Sequence, residues 1–211
     1  MDLSLIKTVC LKIEYLNKIG VAVIFVVTGP NGSGKTVITK KLLTVLPFHQ
    51  TFNLGSVAKT IRFVFRDEEV SRLENFTNEK ITKLFTPIVQ FACSEYQKNG
   101  VNVIVEGVQI DTVSPGWQGL ITGGIILDVK KDLRLQRNQH PETHFNRAME
   151  LGLTDQLEYI ESEYFDLINN NHNKDVTFNS TLRTLDRQLD WHLKTIKQIN
   201  SVSLSEVEVT S

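Results

Sequence analysis

In residues 3–19, Ile6, Val9, Ile13 and Leu16 recur at helical spacing and Gly20 closes the run, which predicts an amphipathic helix. An unbroken apolar run follows, Val21-Ala-Val-Ile-Phe-Val-Val27, and reads as a strand buried on both faces. Residues 37–46 continue as a helix that Pro47 ends, and Thr51–Leu54 is a short second strand. After Gly55 a helix is expected over Ser56–Phe65, and the charged segment Asp67–Phe76 reads as a mobile cap. Residues 78–99 carry Phe85, Ile88, Ala92 and Tyr96 on the inner side of a long helix, with Pro87 inside it and Asn99-Gly100 at its end. Val101–Glu106 is a third strand, apolar up to its final carboxylate.

The pattern is looser in the second half. A loop spans 108–122, Ile125–Leu127 is a fourth strand, and Asp128 reads as the N-cap of a helix carrying Arg134 and Arg137. The polar run 138–150 reads as a short lid. Leu157, Ile160, Tyr164 and Leu167 predict a helix over 155–170, followed by an Asn-rich turn. Asp175–Asn179 reads as a fifth strand, and a helix from Ser180 or Thr181 to Ile199 carries Leu185 and Trp191 as core. Residues 200–211 are small and polar, the composition of a disordered tail. Strands alternating with helices predict an α/β fold of three layers, a five-stranded parallel sheet with helices on both faces, in one domain over 1–199. The N-terminal helix is an addition, packed on the sheet or serving as a dimer contact, so the chain is expected as a monomer or homodimer.

Chemistry enters where the first strand meets its helix. Gly29-Pro30-Asn31-Gly32-Ser33-Gly34-Lys35-Thr36 has the spacing of a P-loop, and it lies between a strand and a helix as that motif requires. Glycines let the backbone wrap a phosphate, and the amides of residues 31–36 can form a nest reinforced by the helix N-terminus. Lys35 is expected on the β/γ-phosphates and the Thr36 hydroxyl on Mg²⁺, so ATP with Mg²⁺ is the expected ligand.

Glu106 stands at the carboxyl end of a strand, the edge where ligands bind in open parallel sheets. It can order a Mg²⁺-bound water or accept a proton from an attacking hydroxyl. Lys59 and Arg62, with Arg66, share one helix face and read as an acceptor anion site, to which Gln109 and Asp111 can contribute. Arg134, Arg137 and Arg147 are candidate clamps on the transferring phosphoryl group, because such transfer is catalysed mainly by positioning and charge stabilisation. Asn179 to Thr181, after the expected fifth strand, are base-pocket candidates.

Composition changes this picture little. The 211 residues are 41% hydrophobic and 22% charged, with 23 basic against 24 acidic side chains and a formal net charge of −1. That balance gives no reason to favour nucleic acid as a partner and none to invoke an anionic membrane. Cys10 and Cys93 lie on apolar helix faces, which argues against a disulfide or metal pair and for a reducing compartment. His140 and His144 lack a third ligand at zinc spacing. With charged residues from Asp2 onward and no apolar run of about 18 residues, a cytoplasmic protein is expected.

The absence of any Asp-x-x-Gly argues against a GTPase, and Asn173-Lys174-Asp175 is one residue short of Asn-Lys-x-Asp. The chain resembles P-loop kinases of the nucleoside-monophosphate-kinase-like group. The resemblance to 2-phosphoglycerate kinase rests on Glu106-Gly107-Val108-Gln109, His144-Phe145-Asn146-Arg147 and Glu158-Tyr159-Ile160 with Phe165-Asp166-Leu167-Ile168; Gln109 stands where that family has His. The resemblance to cytidylate kinase rests on Gly55-Ser56-Val57-Ala58-Lys59 and Gly107–Val113. It implies an ATP-dependent phosphotransferase acting on a small anionic acceptor, a phosphorylated metabolite or a nucleotide. The alternatives are a nucleic-acid 5′-end kinase and a regulatory ATPase or nucleotide-binding switch.

Overall fold

Among the described residues, five parallel strands form one sheet: β1 (Ile24–Thr28), β2 (Gln50–Asn53), β3 (Val103–Glu106), β4 (Gly123–Asp128) and β5 (Phe165–Asn169). The computed structural model describes residues 2–57, 78–108, 110–137 and 160–209. The strand order is β2-β3-β1-β4-β5, which places β1 at the centre with β3 directly beside it. Every residue of β1 and β3 is buried, as expected of runs covered on both faces. The edge strands are more polar: Gln50 and Thr51 of β2 are exposed, and β5 exposes Leu167 and Asn169.

Helices α1 (Leu3–Lys18), α2 (Lys35–Val45), α3 (Asn78–Lys98), α4 (Lys131–Arg137) and α5 (Lys174–Val209) complete the described architecture. Phe25 and Val27 point to one core with Ile38 and Leu42 of α2 and Phe178, Leu182 and Leu185 of α5. Ile24 and Val26 point to the other, with Phe85, Val89 and Cys93 of α3. The period-two alternation of β1 thus divides the apolar residues between two helical layers. The N-terminal helix belongs to the first core. Val9, Ile13 and Leu16 are fully buried, and Lys12 holds Asp186 and Asp190 of α5 at 2.6 and 2.7 Å. Burial of each of these apolar side chains contributes roughly 1.5–3 kcal/mol.

Five expectations change. The described part of the segment read as a helix over 155–170 contains β5 instead. Its apolar residues fit a helix spacing, but Phe165 and Ile168 are buried while Leu167 faces out, because β4 needs an edge partner. Residues 175–179, read as the fifth strand, form the start of α5. Asn173 accepts from the Asp175 and Val176 amides through Oδ1, and this cap overrides the β-prone Val-Thr-Phe. Asp128, read as an N-cap, is the last residue of β4, and α4 begins at Lys131. Trp191, read as core, is 40% exposed on the edge of Tyr164; the fully buried tryptophan is Trp117, in the loop, whose indole N–H donates to Asp111 O. Helix α5 continues past Ile199 through the segment read as a tail. Among the described residues no helix is long and apolar enough to cross a membrane.

The strands end in Thr28, Asn53, Glu106, Asp128 and Asn169. All five carry polar groups, so the carboxyl edge of an otherwise apolar sheet is a polar shelf. The register sets Glu106 beside both Val27 and Asn53, next to the loop that leaves β1.

Candidate active site

The loop between β1 and α2 can be traced only by glycine at two points. Gly29 has φ +136°, and a Cβ there would lie 2.5 Å from the Leu127 carbonyl oxygen; Gly34 has φ +91°, and a Cβ there would lie 2.8 Å from Asn170 Nδ2. Ser33 N–H closes the turn on Pro30 O at 3.2 Å. Helix α2 then starts with Gly34 as its N-cap and no side-chain cap, which leaves first-turn amides available to a ligand.

Lys35 is buried, 8% exposed, and its ammonium folds back into the loop, 3.0 Å from Gly29 O and 2.8 Å from Pro30 O. Burial lowers its pKa to about 8; the Glu106 carboxylate opposes that shift and the Arg134 guanidinium adds to it. Its hydrogen bonds go to neutral carbonyls, so an anion entering the loop would find a desolvated cation. Beside it the Thr36 hydroxyl donates to the Glu106 carboxylate, which is itself buried at the end of β3. A hydroxyl and a carboxylate are hard oxygen donors suited to Mg²⁺, which keeps waters and takes further ligands from phosphate. The described residues contain no group of three or more His, Cys, Asp or Glu placed to hold a metal, so such an ion would need ligand oxygens from beyond the described residues.

These groups line a cavity of about 900 Å³. One wall comes from Asn53, Gly55 and Val108; the opposite wall comes from Arg137, Asn170 and the stretch His172–Asp175. The arginines of α4 part company. Arg134 is buried, with Nε on Val129 O and Nη1 on Asn31 O, so it grips the loop from outside the cavity wall. Arg137 reaches the cavity and donates from Nη2 to Asn170 O at 3.0 Å.

The structure therefore brings together Gly29 to Thr36, Glu106 and the two α4 arginines. Asp111 lies apart: its Oδ1 accepts from Val113 N–H and its backbone N–H donates to Thr86, and it is not among the cavity-lining residues. Lys59, Arg62, Gln109 and Arg147, with the lid at 138–150, lie outside the described residues. Asn179 to Thr181 sit on α5, where Thr181 is buried against Thr177 O. The loop after β5 that borders the cavity is instead 170–173.

Asn170 was not a sequence candidate. It is buried, its side chain donates to Ser33 O at 2.6 Å and accepts from Thr177 at 2.5 Å, and it stands against Gly34. In the sequence it is one Asn in the run Asn169-Asn-Asn, and the signal that marks it is the end of β5, which the helical spacing of the preceding residues hides.

No family model matches the chain, and no curated protein matches it. Solved structures do. A protein designated APE1195 is 18% identical, covering 81% of this chain and 96% of its own, with a TM-score of 0.53. An unliganded sugar kinase from Janibacter sp. HTCC2649 is 16% identical over 78% of this chain and 95% of its own, with a TM-score of 0.46. TT1252 from Thermus thermophilus is 16% identical over 78% and 96%, with a TM-score of 0.45. The likeness to APE1195 is one of fold, and the chain has the three-layer α/β architecture built on a five-stranded parallel sheet.

Proposed function

We propose that the chain is a phosphotransferase that moves the γ-phosphoryl group of Mg²⁺-ATP to a small anionic acceptor, a phosphorylated metabolite or a nucleotide. The observation that carries this reading is the buried Lys35 ammonium, held inside a glycine loop by neutral carbonyls beside the Thr36–Glu106 pair. A desolvated cation costs free energy unless it serves an anion, and α2 starts at Gly34 with no side-chain cap, which leaves first-turn amides to such an anion.

The phosphates of ATP would replace the two carbonyls as partners of Lys35 and take the first amides of α2. Thr36 and Glu106 would hold Mg²⁺, directly and through water, and the ion when bound neutralises charge on the β- and γ-oxygens. Glu106 would also accept the acceptor's proton, being at the end of β3 beside the wall of Asn53, Gly55 and Val108. The base would lie against His172–Asp175, and the acceptor on the side of Asn53, Gly55 and Val108. Lys59, Arg62 and Gln109 are proposed for that acceptor, and Asp111, which lies apart from the cavity, is not. Arg134 would brace the loop, while Arg137 and Arg147 would clamp the transferring group and help exclude water.

The test is ADP release from Mg²⁺-ATP with a panel of nucleoside monophosphates, nucleosides, phosphoglycerates and 5′-hydroxyl oligonucleotides. Strong stimulation by one small anionic class is the expected result. Stimulation by oligonucleotides alone would make the chain an end kinase. Slow release that no acceptor stimulates would make it a regulatory ATPase.

A further inference from the structure

Asn170 joins three parts of the site that lie far apart in the sequence. It sits directly after β5 and is 6% exposed. Its Nδ2 donates to the Ser33 carbonyl at 2.6 Å, across 137 residues of sequence. Its Oδ1 accepts from the Thr177 hydroxyl at 2.5 Å, in the first turns of α5. Its backbone N–H donates to Asp128 O at 2.7 Å, and its carbonyl accepts from Arg137. The Ser33 carbonyl can only accept, so the amide nitrogen must face it; the Thr177 hydroxyl then satisfies the oxygen end.

A trans peptide is planar, with its C=O and N–H pointing in opposite directions. Fixing the Ser33 carbonyl on Asn170 therefore fixes the Gly34 N–H away from Asn170. Gly34, at φ +91° and without a Cβ, offers little steric resistance to rotation of that peptide on its own. We propose that Asn170 is the positioning residue of the phosphate loop: by anchoring the Ser33 carbonyl it holds the Gly34 amide toward the loop hollow, set for an anionic oxygen before a ligand arrives. The anchor is shared with the base-side wall through Thr177 and with α4 through Arg137, so the orientation of one loop peptide depends on elements that border the rest of the cavity. Preorganisation of this kind removes an ordering cost from binding. The inference rests on the reading of this loop as a phosphate site.

The test uses the full chain and inorganic pyrophosphate, which has no base to bind elsewhere. Affinity is measured by calorimetry and the Gly34 amide proton resonance is followed in wild type, Lys35→Ala, Asn170→Ala and Thr177→Val. Wild type is expected to bind with a downfield Gly34 shift. Asn170→Ala is expected to bind at least about tenfold more weakly with a reduced shift, and Thr177→Val, which loosens the far end of the amide, about threefold more weakly. A residue that only stabilised the fold would lower the melting temperature and leave both readouts unmoved, so wild-type affinity and shift in folded Asn170→Ala would overturn the proposal. If Asn170→Ala does not fold, Thr177→Val decides in the same way. Failure of wild type to bind pyrophosphate, or undiminished binding by Lys35→Ala, would instead sink the phosphate-site reading, and this proposal with it.

Discussion

The Thr36 hydroxyl donates to the Glu106 carboxylate, joining the first turn of α2 to the last residue of β3. The pair links the loop residue expected to hold Mg²⁺ with the carboxylate expected to order its water or take a proton. Glu106→Gln keeps the shape and the hydrogen-bonding oxygen but loses the charge. It is expected to lower kcat by about 100-fold or more while changing the Kd of ATP little. Steady-state kinetics alongside equilibrium nucleotide binding separates the two, and equal losses in both would remove Glu106 from the chemical step.

On the proposed reading, burial of Lys35 would serve binding at the expense of the free protein. With its pKa lowered from 10.5 to about 8, the ammonium is less comfortable in the folded chain than in the unfolded one. Lys35→Met is expected to abolish turnover and yet to stabilise the ligand-free protein at pH 7 by roughly 1–3 kcal/mol. Chemical denaturation of both proteins checks this; a less stable variant would mean that the carbonyl contacts outweigh the desolvation.

The same shift gives two pH dependences of opposite sense. Between about pH 8 and 10.5 the unfolded chain holds the Lys35 proton and the folded chain has released it, so the contribution of Lys35 to stability rises with pH across that window. Anion binding runs the other way. Below pH 8 the lysine is already charged and its contribution to affinity is flat; above pH 8 binding requires proton uptake, and affinity falls by up to about tenfold per pH unit. Pyrophosphate titrations from pH 7 to 9.5 in wild type and Lys35→Ala isolate the term, which is absent from the variant.

Helix α1 is part of the core. Ile13 is fully buried among α5 and strand residues. Ile13→Ala is expected to destabilise the fold by about 2–4 kcal/mol while the folded fraction keeps its kcat. A change below about 0.5 kcal/mol in urea unfolding would mean that α1 is a detachable appendage.

What the sequence disclosed follows from how local each signal is. The strand β1, the glycine loop and the start of α2 are contiguous, and their chemistry depends on spacing along the chain. Glu106 was legible because a single carboxylate ends an apolar run. The α1 stripe of Val9, Ile13 and Leu16 was legible because helical periodicity needs no knowledge of the partner. β5 was hidden because an edge strand with Leu167 exposed can mimic a helix, and Val176-Thr177-Phe178 was misread because the Asn173 cap outweighs β propensity. Asn170 was beyond reach: its partners, Ser33 and Thr177, become neighbours only when β5 is laid beside β4.

The measurement that bears most directly on the function is equilibrium titration of ATP, with and without Mg²⁺, into wild type and Lys35→Ala, followed by ADP release from the same samples. Wild type should bind Mg²⁺-ATP and release ADP when a small anionic acceptor is supplied, and Lys35→Ala, still folded, should bind it more weakly and release none. Binding and turnover that survive intact in Lys35→Ala would contradict a phosphotransferase built on this loop.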